Sequence, residues 1–134
     1  MMKMPTVLKG LMLLLIIACS SPKKNFIPAE NGLDAGREFI DACLKGDFSK
    51  AAFYMIGDEK NKQLLLTVEA AYREKDKEGR QELRLASINI KEVAETNDST
   101  VILYHSNSFD TSAKQTIIVK SKGIWQVDLK QSNK

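Results

Sequence analysis

One histidine, two cysteines, three tyrosines and a scatter of carboxylates are the side chains of this 134-residue chain best suited to chemistry. His105 is the only imidazole, so any proton transfer through a ring nitrogen near neutral pH must use it. No Gly-rich phosphate loop, no His-Glu-x-x-His and no Ser-His-Asp arrangement accompanies it. No cysteine or histidine spacing suits zinc, so neither a metal nor another cofactor is expected, and no residue is assigned as catalytic. Cys43 falls in an apolar stripe and reads as a small buried hydrophobe rather than a nucleophile. Tyr54, Tyr72 and Tyr104 offer hydroxyl donors, but at spacings usual for core aromatics. Asp128 alternates with Val127 and Leu129, which predicts a strand acid facing away from the helices and paired with a lysine rather than a general base.

Where His105 points depends on strand register. A tight turn at Lys122-Gly123 pairs 120 with 125, 118 with 127 and 116 with 129, so Thr116, Ile118, Trp125, Val127 and Leu129 share one face. If 105 stands opposite 116, His105 joins that inner face, and His105, Tyr104, Thr116 and Trp125 form the candidate pocket. A shift of one residue in "SNSFDTSA" turns the ring outward, and a solvent-facing or edge histidine is the simpler expectation.

The elements that position these residues fall in two blocks. "NGLDAGREFIDACLKGD" places Leu33, Gly36, Ile40, Cys43 and Leu44 at helical spacing, flanked by Phe39, with Asn31 as cap and Gly46 as stop. A short helix over "FSKAAFYM" follows, capped by Asp47. A third helix runs from about 59 to 77, with Leu64, Leu65, Val68, Ala71 and Tyr72 inward and Gly79 as its stop. Then the period changes. "LRLASINIKEVAE" alternates from Leu83 to Ile90, with an irregularity near Glu92 and Val93. "VILYHSNSF", "KQTIIVKS" and "IWQVDLK" complete four strands. Helices first and an antiparallel meander afterwards predict an α+β fold, N-terminal helices packed on a curved four-stranded sheet in a cone-like arrangement.

Ahead of this domain stands "LMLLLIIACSS". Its uninterrupted apolar run, Leu11 to Ala18, rises about 12 Å as a helix against a hydrocarbon core of about 30 Å, too short for a mature span. Lys3 and Lys9 before it and small Ala18 after it fit a secretory signal over residues 1–18. "IIAC" resembles the bacterial lipobox, which implies cleavage before Cys19 and acylation of its thiol. Residues 19–31 then form a lipidated cysteine and tether, and residues 32–131 the domain. With Cys19 acylated, Cys43 is left without a disulfide partner. The net charge of +3 falls to about +1 once Lys3 and Lys9 are removed with the leader, and no basic and aromatic cluster suggests nucleic acid. A lipid-anchored place in the cell envelope follows, and the lack of an acidic run after Cys19 favours the periplasmic side of a bacterial membrane.

"FIDACLKGDFSKAAFYM" and the closing "TVILYHSNSFDTSAKQTIIVKSKGIWQVDLK" resemble a small lumazine-binding-like bacterial lipoprotein domain. That domain falls within the nuclear transport factor 2-like (cystatin-like) superfamily. The marks are the "KGDFSKA" corner and the Gly-x-Trp-x-Val-Asp closing strand. The resemblance implies a curved sheet on helices, often open at one end, and no particular activity. Two functions are compatible with it. One is a non-catalytic domain binding a protein or small apolar ligand, with Ile102, Tyr104, Ile117 and Val119 on the outer sheet face available to a second copy. The other is a small-pocket isomerase or dehydratase using His105 with a nearby acid.

Overall fold

The computed structural model describes residues 25–132; the leader and Cys19 lie outside the described residues. Four helices, α1 (Gly32–Lys45), α2 (Phe48–Phe53), α3 (Glu59–Glu74) and α4 (Lys77–Leu85), precede an antiparallel sheet of β1 (Ile88–Asn97), β2 (Thr100–Asn107), β3 (Lys114–Ser121) and β4 (Ile124–Val127) in the order β1-β2-β3-β4. A last turn of helix, α5 (Leu129–Ser132), closes the described chain. The fold is α+β, as the change of period predicts. Among the described residues no helix is long and apolar enough to cross a membrane.

Every long helix starts on an Asn or Asp whose side chain takes up a backbone N–H that the helix cannot use itself. Asn31 accepts from Asp34 N at 2.8 Å, Asp58 from Asn61 N at 2.8 Å and Asp76 from Gly79 N at 2.7 Å. Asp47 does the same for α2, accepting from Lys50 N at 3.2 Å. Gly46, at φ 74°, ends α1 in the left-handed conformation that a side chain would resist.

The Asp76 cap corrects two sequence expectations. It restarts the chain as α4, so Gly79 sits inside a helix rather than stopping one, and residues 83–85, expected in a strand, are its last turn. The alternation that begins at Leu83 is short enough to fit either element, and the cap decides for helix. The first strand therefore starts at Ile88. Its irregularity is present, with the register slipping between Ile90 and Glu92 so that Lys91 is the extra residue.

α1 lies along the inner face of the sheet, touching all four strands. Small residues make that approach feasible. Gly32, Ala35, Gly36 and Ala42 are buried against the strands, and a Cβ on Gly36 would stand 2.3 Å from Leu103 Cδ1. The face centred on Ala35, Phe39 and Ala42 meets the sheet, while Ile40, Cys43 and Leu44 turn sideways and stay half-buried. Met55, Leu103, Ile118 and Val127 are the largest apolar side chains without solvent contact. The edge of β4 is covered by residues 54–56: Ile56 N donates to Val127 O at 2.9 Å and Val127 N to Tyr54 O at 2.7 Å.

The hairpin at Lys122-Gly123 is as expected: both have positive φ, 53° and 78°, and 120 pairs with 125 and 118 with 127. The closing strand is shorter than expected, ending at Val127, and α5 takes its place. α5 caps the free edge of β3, with Asp128 N donating to Ile117 O and Ile117 N to Ser132 Oγ. At the start of the described chain, Phe26 and Ala29, read from sequence as tether, pack against the core. Tyr54 donates its hydroxyl to Ile27 O at 2.6 Å.

Candidate functional site

At the end of the sheet where β2 finishes and β3 begins, the helices stand clear of the strands and leave a cleft of about 1080 Å³. Its apolar walls come from the C-terminal half of α1 (Phe39, Ile40, Cys43, Leu44), from α3 (Val68, Ala71, Tyr72), and from Leu83, Phe109 and Leu129. Several of these side chains, Ile40, Leu44, Val68, Tyr72 and Leu83 among them, are only half-buried because the cleft is not filled by the protein itself. His105, Asn107 and Thr116 supply polar groups to the same lining.

The expectation that His105 is exposed is overturned: the residue is 6% exposed and its Nε2 stands 2.8 Å from Thr116 Oγ1, itself 7% exposed. Register explains the outcome. Leu103, not His105, stands opposite Thr116, and His105 stands opposite Lys114. The slip from the expected pairing is two residues, which preserves the face, so Val101, Leu103, His105 and Asn107 all turn inward.

The other candidates separate. Tyr104, on the opposite face of β2, is 36% exposed and outside the cleft. Ile102 and Ile117 pair beside it on that outer face, with Val119 opposite Thr100. Trp125 is on the inner face but at the far end of the sheet, against Gly32, where Lys120 Nζ lies 5.8 Å from its ring centre. The structure thus joins His105 and Thr116 and removes Tyr104 and Trp125 from the pocket. Asn107, which no motif marked, joins them; its only sequence signal is its place two residues beyond His105 on the same strand.

Asp128 is also corrected. It is 5% exposed rather than solvent-facing, and its carboxylate accepts from Asn61 Nδ2 at 3.2 Å and Gln131 Nε2 at 2.8 Å. A lysine is near, Lys130 at 3.8 Å, but on α5 rather than across the sheet. The strand ends before this residue, so the alternation that predicted an outward side chain no longer applies.

Burial and ion pairing set the charge states around the cleft. Burial, reinforced by the Lys114 charge, pushes the His105 pKa below its ordinary value, so the ring is neutral at pH 7. Its hydrogen-bond partner is a hydroxyl rather than a carboxylate. The nearby acid, Asp110, is held far below the usual carboxylate range by its hydrogen bond to Lys114, 2.5 Å away, and by Ser112. An acid held so firmly ionised is poorly matched to giving up a proton near neutrality. Burial also pushes the Cys43 thiol up to about 12, so it lines the cleft as an uncharged group. Among the described residues, no group of three or more His, Cys, Asp or Glu could hold a metal ion.

A stability signature follows from His105. In the unfolded chain its pKa returns to about 6.5. As pH falls through that value the unfolded state takes up a proton that the native state resists, so native stability falls and then levels below the depressed native pKa. Urea midpoints measured from pH 7.5 to 5.5 are expected to drop more for the wild type than for His105→Gln. Parallel slopes would contradict the buried neutral ring.

Compared with models of known protein families, the chain matches none. Comparison with curated proteins likewise finds no match.

Proposed function

We propose that this is a lipid-anchored cell-envelope protein whose α+β domain binds a ligand non-catalytically in the cleft at the His105 end of the sheet. The observation that carries the reading is the cleft itself: an unfilled apolar space whose buried histidine is paired with Thr116 and with no carboxylate. That chemistry suits holding a molecule better than moving its protons, and the volume is just above the range of about 300–1,000 Å³ usual for small-molecule sites. The helices-then-sheet architecture is the one implied by the resemblance to lumazine-binding-like lipoprotein domains.

The anchor adds a limit of reach. The described chain enters at Asn25, beside the N-terminus of α1, whereas the cleft is built around the C-terminal half of the same helix. Fourteen residues of helix separate these ends by about 20 Å. From Cys19 to Asn25 the chain reaches about 20 Å at most. An acylated Cys19 therefore keeps the α1 N-terminus within about 20 Å of the membrane surface.

Two experiments test this reading. Cys19→Ser expressed in a bacterial host is expected to leave the membrane fraction entirely; unchanged sedimentation with membranes would exclude the thioether anchor. Nile red added to a chain beginning at residue 20 is expected to shift its emission to the blue. Val68→Lys, which puts a charge on the cleft wall, is expected to abolish that shift. An equal response from both proteins would place the dye elsewhere.

A further inference from the structure

Among the described residues, three buried polar side chains of β2, His105, Ser106 and Asn107, have hydrogen-bonding capacity left open; all three line the cleft, and His105 and Asn107 share one strand face. Asn61, without solvent contact, uses both ends of its amide: Nδ2 donates to Asp128 and Oδ1 accepts from Lys130 N at 2.8 Å. Asn107, 8% exposed, uses only one. Its Oδ1 accepts from Phe109 N at 2.9 Å and Asp110 N at 2.8 Å, closing the loop after β2, while its Nδ2 donates to no group among the described residues. His105 likewise has one ring nitrogen on Thr116 and the other, Nδ1, without a partner among the described residues. A buried donor left unmade is destabilising, so two on one strand face of one cleft call for an occupant.

The hydrogen-bond roles fix what the occupant must offer. Thr116 is buried, and His105 Nε2 is the only described acceptor for its hydroxyl proton. Were Nε2–H to donate, the Thr116 hydroxyl proton would be left without a described acceptor; with the hydroxyl donating to Nε2 it is satisfied, and a neutral ring then carries its own proton on Nδ1. Both open groups, Nδ1–H and the Asn107 amide, are then donors that ask for an acceptor. Charge narrows the choice further. The lining holds two lysines against three carboxylates, and Lys114 is already paired with Asp110. An anionic head finds no surplus positive charge there, and a cationic head offers only donors to the two donors on the His105–Asn107 strand face.

We propose that the cleft takes a small amphipathic molecule with an uncharged carbonyl-type acceptor, received by His105 Nδ1–H and Asn107 Nδ2–H, and an apolar body lying on Ile40, Leu44 and Val68. This rests on the reading of the cleft as a binding site and names the class of its ligand.

The single histidine makes a direct test available, because its two ring nitrogens are the only imidazole ¹⁵N signals of the chain. The fold described from residue 25 closes its own core, so a ¹⁵N-labelled chain beginning at residue 20 is the sample. It is titrated separately with decanamide, decanoate and decylamine, which share an apolar body and differ in the head. Decanamide is expected to bind about tenfold more tightly than either charged analogue, one net hydrogen bond's worth, and to shift Nδ1 while Nε2 stays on Thr116. Asn107→Asp keeps an oxygen to close the loop but removes the donor, and is expected to erase the preference for the amide. Equal affinities, or decanamide binding with both ring nitrogens unmoved, would overturn the head-group assignment and leave the cleft as a binding site. Failure of all three to bind would overturn both.

Discussion

Leu103→Ala is expected to lower the unfolding free energy by about 3 kcal/mol, the usual range for a fully buried leucine being about 2–5 kcal/mol. The side chain has no solvent contact, and its neighbours leave it no room to be replaced by collapse. From one side α1 presses Gly36 onto it, close enough that even a Cβ on that glycine would clash. Within the sheet, Thr116 stands opposite and Val101 and His105 flank it on the inner face. Because α1 approaches through small residues, removing the isobutyl group leaves a hole beside a rigid backbone rather than beside adaptable side chains. The measurement is equilibrium urea unfolding, with the slope unchanged and the midpoint lowered. A loss below about 1 kcal/mol would mean that α1 settles into the space, contrary to the packing described.

Asn61→Ala is the second large effect, at about 3 kcal/mol, and its origin is polar. Asn61 lies on α3 and bridges to the C-terminal segment, giving a donor to Asp128 and an acceptor to Lys130 N. Alanine leaves a buried carboxylate with one side-chain donor fewer and a backbone N–H without its partner, and such deletions cost about 1–3 kcal/mol per stranded group, more when it is charged. The asymmetry offers a control. If the cost arises from the stranded carboxylate, Asn61→Leu combined with Asp128→Leu is expected to be less destabilised than the sum of the two single changes. Strict additivity would show that the two side chains do not act as a unit.

These two residues mark the boundary of what could be read from sequence. Leu103 was legible only in part: the period of two in "VILYHSN" sets it on the face of His105, away from Ile102 and Tyr104. The same parity argument allowed an inward His105 but did not select it, because the "SNSFDTSA" loop sets the register and nothing local specifies its length of pairing. Asp128 was not legible. Its environment comes from Asn61, 67 residues earlier, and from the turn of helix that replaces the end of the last strand. Nor was α4, where a short apolar alternation over 83–90 conceals an Asp cap seven residues upstream. The small residues of α1 were visible as letters, but only the approach of the sheet shows that they form its contact face, leaving Ile40, Cys43 and Leu44 to wall a cleft. Asn107 became a site residue for the same reason: its open amide matters only because the loop it closes stands at the cleft mouth.

The proposed function turns on whether the cleft binds a ligand. The most direct measurement is an amide chemical-shift map of the chain beginning at residue 20, titrated with 2-naphthol, a soluble apolar molecule. Saturable shifts are expected on 39–44, 68–72, 105–107 and 114–116, with the outer-face residues Ile102 and Val119 and the hairpin around Gly123 undisturbed. Shifts centred on the outer sheet face, or none that saturate, would contradict the proposed function.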